Sequence, residues 1–97
     1  MTKTIHAIIC GRVQGVAYRY WAQNEAIKKS LLGWVRNRRD GCVEAVFSGP
    51  EEDVADMLAA CWSGPMLAKV TDIKTEVFEG KLPQLFEVLP TCEEPSV

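Results

Sequence analysis

The order in which the apolar residues change their period limits this chain more than any other feature. From Thr4 to Cys10, residues Ile5, Ala7 and Ile9 alternate with His6, Ile8 and Cys10, the period of a strand. Tyr18, Ala22 and Ala26 then recur at helical spacing up to Lys29, with Gln23, Asn24, Glu25 and Lys28 on other faces. Gly33-Trp34-Val35-Arg36-Asn37 returns to β-prone residues. Asp40-Gly41 supplies a strong hairpin signal, and Val43, Ala45 and Phe47 resume the alternation until Gly49-Pro50 stops it. Pro50 with Glu51, Glu52 and Asp53 opens a second helix, whose stripe of Val54, Met57, Leu58, Cys61 and Trp62 runs on to Ser63-Gly64-Pro65. Lys69 to Phe78 is again β-prone, and Leu85 to Val88 predicts a short edge strand.

Strand, helix, strand, strand, helix, strand is the order of an α+β, ferredoxin-like βαββαβ two-layer sandwich, an antiparallel sheet with two helices on one face. In that plan Ile5, Ala7, Ile9, Val43, Ala45 and Phe47 meet the helical stripes, and the other sheet face stays open. Ninety-seven residues carry one core, so a single domain is expected over 1–97, with its core at about 4–89 and a disordered tail at about 90–97. With 47% hydrophobic and 25% charged residues the chain reads as soluble and globular. A net charge of -2 gives no overall positive field for a polyanion, so any anion site must be local.

No apolar run approaches the length that spans a bilayer, and Met1 to His6 lacks the apolar region of a signal peptide; a cytoplasmic location is expected, with no membrane partner. Cys10, Cys42, Cys61 and Cys92 are widely spaced, without a Cys-x-x-Cys pair or the spacing of a zinc site. Reduced, mostly buried thiols and no metal are the expectation, although spacing leaves a disulfide open. His6, the only histidine, reads as a surface strand residue without a role.

Between the first strand and the first helix, Gly11-Arg12-Val13-Gln14-Gly15-Val16-Ala17 interrupts the alternation with two glycines. A loop of this kind running straight into a helix gathers unpaired amide N–H groups where the helix dipole is positive, so Gly15 to Arg19 is suited to hold an anion. A tight turn explains the same glycines equally well. The segment is not a nucleotide P-loop, because it lacks the Gly-Lys-Ser/Thr ending, and the three-glycine dinucleotide spacing is also missing. Arg19 would add planar, paired donors for two phosphate oxygens, with a surface salt bridge as its ordinary alternative. Asn37 shares a strand face with Val35 rather than with Arg36 and Arg38; its amide either serves a site or shapes the turn before Asp40-Gly41.

Ile9-Cys10-Gly11-Arg12-Val13-Gln14-Gly15-Val16-Ala17-Tyr18-Arg19 resembles the first signature of the acylphosphatase family. Gly33-Trp34-Val35-Arg36-Asn37 through Gly41, Val43 and Gly49 resembles its second. The similarity continues through Gly64-Pro65, Ala68 and Val70 to Phe86 and Val88, and so covers nearly the whole chain. The resemblance implies the same ferredoxin-like fold and a hydrolase of carboxyl-phosphate anhydrides that uses no metal and no cofactor. It implies a phosphate cradle from the amides of Gly15, Val16, Ala17, Tyr18 and Arg19, with the Arg19 side chain clamping the phosphate and Asn37 placing the attacking water. The implied partner is a small-molecule acyl phosphate, and the chain is expected to be a monomer.

Three positions depart from the family pattern. Tyr18 stands where Phe or another apolar residue is usual, so its hydroxyl needs a partner. Ser30 ends the first helix where Gly is common, at a cost of roughly 1 kcal/mol if a left-handed cap is kept. The chain also runs on as Leu89-Pro90-Thr91-Cys92 where relatives often end at a basic residue.

Other function classes compete with hydrolysis. The same cradle would serve an anion sensor that does no chemistry. Nucleic-acid binding through the open sheet face is disfavoured, since His6, Ile8 and Cys10 with Glu44, Val46 and Ser48 offer neither aromatic platforms nor positive charge. The first signature also resembles a segment of larger carbamoyl-transfer maturation proteins, whose attached zinc-finger and transferase sequences are not found in these 97 residues.

Overall fold

The computed structural model describes residues 1–91. Its elements are β1 (Thr2–Arg12), α1 (Tyr18–Lys28), β2 (Leu32–Asn37), β3 (Val43–Pro50), α2 (Glu51–Ser63), β4 (Lys69–Val77) and β5 (Glu87–Val88). The strand order is β4-β1-β3-β2-β5, with β1 and β3 in the middle. The four long strands pair antiparallel as the element order required, and β5 adds to the outer edge of β2 in parallel. The result is the expected ferredoxin-like sandwich. The expectation for the tail falls mostly on residues 92–97, outside the described residues.

The alternation read from the sequence becomes the two faces of the sheet. Ile5, Ala7, Ile9, Val43, Ala45 and Phe47 are buried with Ala22 and Ala26 of α1 and Val54, Met57 and Cys61 of α2 in one core. A large apolar side chain fully buried there contributes about 1.5–3 kcal/mol. Alanines on α1 let the helix lie close against β2, while α2 packs across β1, β3 and β4.

The end of β3, the length of β5 and the burial of Trp62 differ from the sequence reading, each for a physical reason. β3 continues through Gly49 to Pro50, which pairs opposite Thr2; proline is tolerated because it is the last residue of the strand. β5 is shorter than Leu85 to Val88, because Phe86 turns into the core and stacks on Phe47 with ring centres 5.5 Å apart. Trp62 is half exposed, since eight residues on from Val54 the helix has rotated by about 80° from the buried line.

Candidate active site

The loop between β1 and α1 is shaped by glycine at one end and by a left-handed alanine at the other. At Cys10/Gly11 the register of β1 against β4 shifts, and Gly11 adopts φ 123°, a conformation in which a side chain would collide with the Lys69 carbonyl. Val13 and Val16 anchor the loop in the core. Gly15 has φ 74° and Ala17 φ 64°, ψ 26°. A left-handed alanine costs about 1–2 kcal/mol. It is followed by the right-handed first residue of α1, the alternation of hand that turns successive N–H groups to one side.

Ala17 is also the residue that caps α1, and it has no side-chain oxygen to satisfy the first-turn amides. No acidic residue occupies that turn. The positive end of the helix opens on a cavity of about 220 Å³, lined by Val13, Gly15, Ala17, Tyr18, Arg19 and Tyr20, with Asn37 arriving from the end of β2. Arg19 and Asn37, separated in sequence by a helix and a strand, thus face the same space. Among the described residues neither side chain has a hydrogen-bond or ion-pair partner. Val16, expected to offer its amide, does not line the cavity with its side chain, which is buried. The Tyr18 hydroxyl donates to the Cys61 carbonyl at 2.7 Å, and its burial drives the phenol pKa far upward, so the group stays protonated. Burial likewise pushes the Cys61 thiol up to about 12. Among the described residues no group of three or more His, Cys, Asp or Glu side chains is placed to hold a metal ion.

The acylphosphatase family model matches residues 5–88. An acylphosphatase of Azorhizobium caulinodans is 57% identical over 80 residues, covering 82% of this chain and 86% of that protein. Among solved structures, the acylphosphatase from Bacillus subtilis superposes with a TM-score of 0.82 at 40% identity, covering 92% of this chain and 99% of that one. The acylphosphatase from Coxiella burnetii gives 0.86 at 31% identity, covering 91% and 93%.

The chain belongs to the acylphosphatase family.

Family membership makes the chain a hydrolase. It also sets the departures from the family pattern in context. Ser30 does keep a left-handed conformation, φ 57°, and the Leu31 and Ser30 amides bond back to the Ala26 and Ile27 carbonyls, both at 2.9 Å, as in a glycine-ended helix.

Two expectations about side chains are corrected. Cys10 and Cys42 form a disulfide rather than remaining reduced. They lie 32 residues apart in sequence, but the register that pairs Ile9 with Val43 brings the next two positions opposite one another, with Cα atoms 4.5 Å apart. Cys61 is a free, buried thiol. His6 is not a solvated surface residue: its side chain is 13% exposed, and its Nε2 lies 2.6 Å from Oε2 of the buried Glu44. Glu44 also accepts from Arg36 Nε at 2.8 Å.

The open sheet face is likewise more aromatic than expected. Trp34 and Phe78 stand near His6, their ring centres 6.4 Å apart, in a concavity of about 580 Å³ that includes Glu44, Glu76 and Glu79. The open faces of β1 and β3 carry no aromatic platform of their own; Trp34 comes from β2. This space is larger than the one at Arg19, but it lies on the far side of the sheet from the helix termini. Size alone does not identify the site of chemistry.

Proposed function

We propose that this chain hydrolyses the carboxyl–phosphate bond of small acyl phosphates, releasing a carboxylate and inorganic phosphate. The observation that carries the reading is the meeting of Arg19 and Asn37 at the uncapped positive end of α1. Amides of Gly15, Val16, Ala17, Tyr18 and Arg19 hold the phosphate, and the Arg19 guanidinium binds two of its oxygens. Charge spreading over the equatorial oxygens in the transition state then meets donors already in position. The Asn37 side-chain oxygen accepts a hydrogen bond from water and aims it at phosphorus.

Asn37 is no base, so a phosphate oxygen of the substrate takes the water proton as the P–O bond to the acyl group breaks. A carboxylate leaves without needing protonation, and no general acid enters the scheme. Fixed N–H donors and one guanidinium serve where other phosphoryl-transfer enzymes use magnesium, and the reaction therefore proceeds without metal or cofactor.

The chain acts as a monomer in the cytoplasm and takes no nucleic acid as a partner. The net charge of -2 and the carboxylates of Glu44, Glu76 and Glu79 beside Trp34 and Phe78 support the last point. The test is hydrolysis of an aryl acyl phosphate with a metal chelator present. Sustained turnover is expected. No turnover at all would leave an anion-binding module, and turnover abolished by chelator would refute the metal-free scheme.

A further inference from the structure

One side chain of the loop faces away from the cavity and toward the hairpin that follows Asn37. Gln14 directly precedes the first amide of the cradle, and its Nε2 donates to the Arg38 carbonyl at 2.7 Å and to the Cys42 carbonyl at 2.9 Å. A carboxamide has two N–H donors, and both are used here. The two carbonyls are the paired ends of the hairpin turn: the Arg38 amide donates to the Cys42 carbonyl at 2.9 Å, and the Gly41 amide to the Arg38 carbonyl at 3.2 Å. Arg38 is bonded through the chain to Asn37. The Cys10–Cys42 disulfide attaches the last part of β1 to the same hairpin residue. The loop is thus fastened to the Asn37 hairpin at its start by a covalent bond and in its middle by Gln14.

We infer that Gln14 is a positioning residue that sets the distance between the phosphate cradle and the water held by Asn37. The inference rests on the proposed roles of Arg19 and Asn37. Gln14 does not itself line the cavity, so it acts through its neighbours. Hydrolysis requires water and phosphorus at near-attack separation, and a misplacement of about 1 Å is enough to cost roughly 10²-fold in rate. Phosphate binding depends only on the cradle and Arg19. Loosening the tie therefore separates the two quantities, lowering kcat and sparing affinity for phosphate.

The decisive variants are Gln14→Leu, which removes both donors at similar size, and Gln14→Glu, which keeps the shape but places an ionised acceptor against two carbonyls. For Gln14→Leu, kcat for an aryl acyl phosphate is expected to fall about 10- to 100-fold. The inhibition constant of inorganic phosphate should stay within about twofold, because the cradle is intact. For Gln14→Glu, kcat relative to the parent should rise as the pH falls and the carboxyl regains one O–H donor, a profile that simple loss of packing would not give. Far-UV circular dichroism establishes that each variant is folded.

In the Asn37→Ala background, Gln14→Leu should have little further effect, since the residue it positions is gone. Unchanged kcat in both Gln14 variants, while Arg19→Ala and Asn37→Ala are impaired, would overturn this inference and leave the catalytic reading standing. Parallel loss of kcat and phosphate affinity in Gln14→Leu would also overturn it. If Arg19→Ala and Asn37→Ala themselves turned over normally, the reading and the inference would fall together.

Discussion

The two helices of this fold begin in opposite ways. α2 follows Pro50 and carries Glu51, Glu52 and Asp53 in its first turn, so its positive end is balanced by side chains of its own. α1 follows a left-handed Ala17, has no side-chain cap and has no acid in its first turn. Both helices lie on the same face of the same sheet, so layer packing alone does not explain the contrast. What differs is what the helix end faces: the start of α1 opens on the cavity with Arg19 and Asn37. A helix end left uncompensated, beside a strained alanine and a guanidinium, is arranged for an anion from outside the chain.

The largest expected effect is at Arg19. Arg19→Ala should lower turnover by at least ~10²–10³ and raise the inhibition constant of phosphate, measured by steady-state kinetics with phosphate as competitor. Unchanged kinetics would mean that the open helix end is not where the anion sits. A smaller change gives α1 the character of α2: Tyr20→Glu puts a carboxylate in its first turn, at the exposed Tyr20 on the cavity wall. Phosphate affinity should drop about tenfold, the equivalent of about 1.4 kcal/mol of lost attraction.

The converse experiment neutralises α2 with Glu51→Gln, Glu52→Gln and Asp53→Asn together. Stability to urea should fall by about 0.3–1 kcal/mol for each charge, with turnover unchanged. A loss of activity here would show that the two helix ends do not divide stability from chemistry as described. The smallest effect lies at the other end of α1. There Ser30 holds the left-handed position, whereas α2 ends at Gly64 with φ 64°. Ser30→Gly should raise stability by about 1 kcal/mol, or Tm by about 4–8 °C, without altering kcat.

Much of this contrast was legible in the sequence, and the illegible parts have definite causes. Pro50-Glu51-Glu52-Asp53 announced the start of α2 by residue type, and the alternation of Ile5, Ala7 and Ile9 with the spacing of Tyr18, Ala22 and Ala26 gave the layers. Gly15 and Arg19 marked the loop as a candidate anion site, but only the resemblance to a family separated that reading from a tight turn. The left-handed Ala17 had no signal, because alanine is not a residue that normally marks positive φ. Cys10 and Cys42 were hidden for a different reason: their contact follows from the β1–β3 register, and a periodic pattern fixes the face of each residue but leaves slips of two residues open. His6, Glu44, Arg36 and Trp34 come from three strands, so their cluster on the open face required the strand order β1-β3-β2 before it could be seen.

The most direct test is a crystal of the protein soaked in inorganic phosphate. The account predicts phosphate density at the start of α1, within hydrogen-bonding distance of the amides between Gly15 and Arg19, with the Arg19 guanidinium against two of its oxygens. Phosphate bound instead beside Arg36 on the open sheet face, with the α1 cavity empty under saturating conditions, would contradict it.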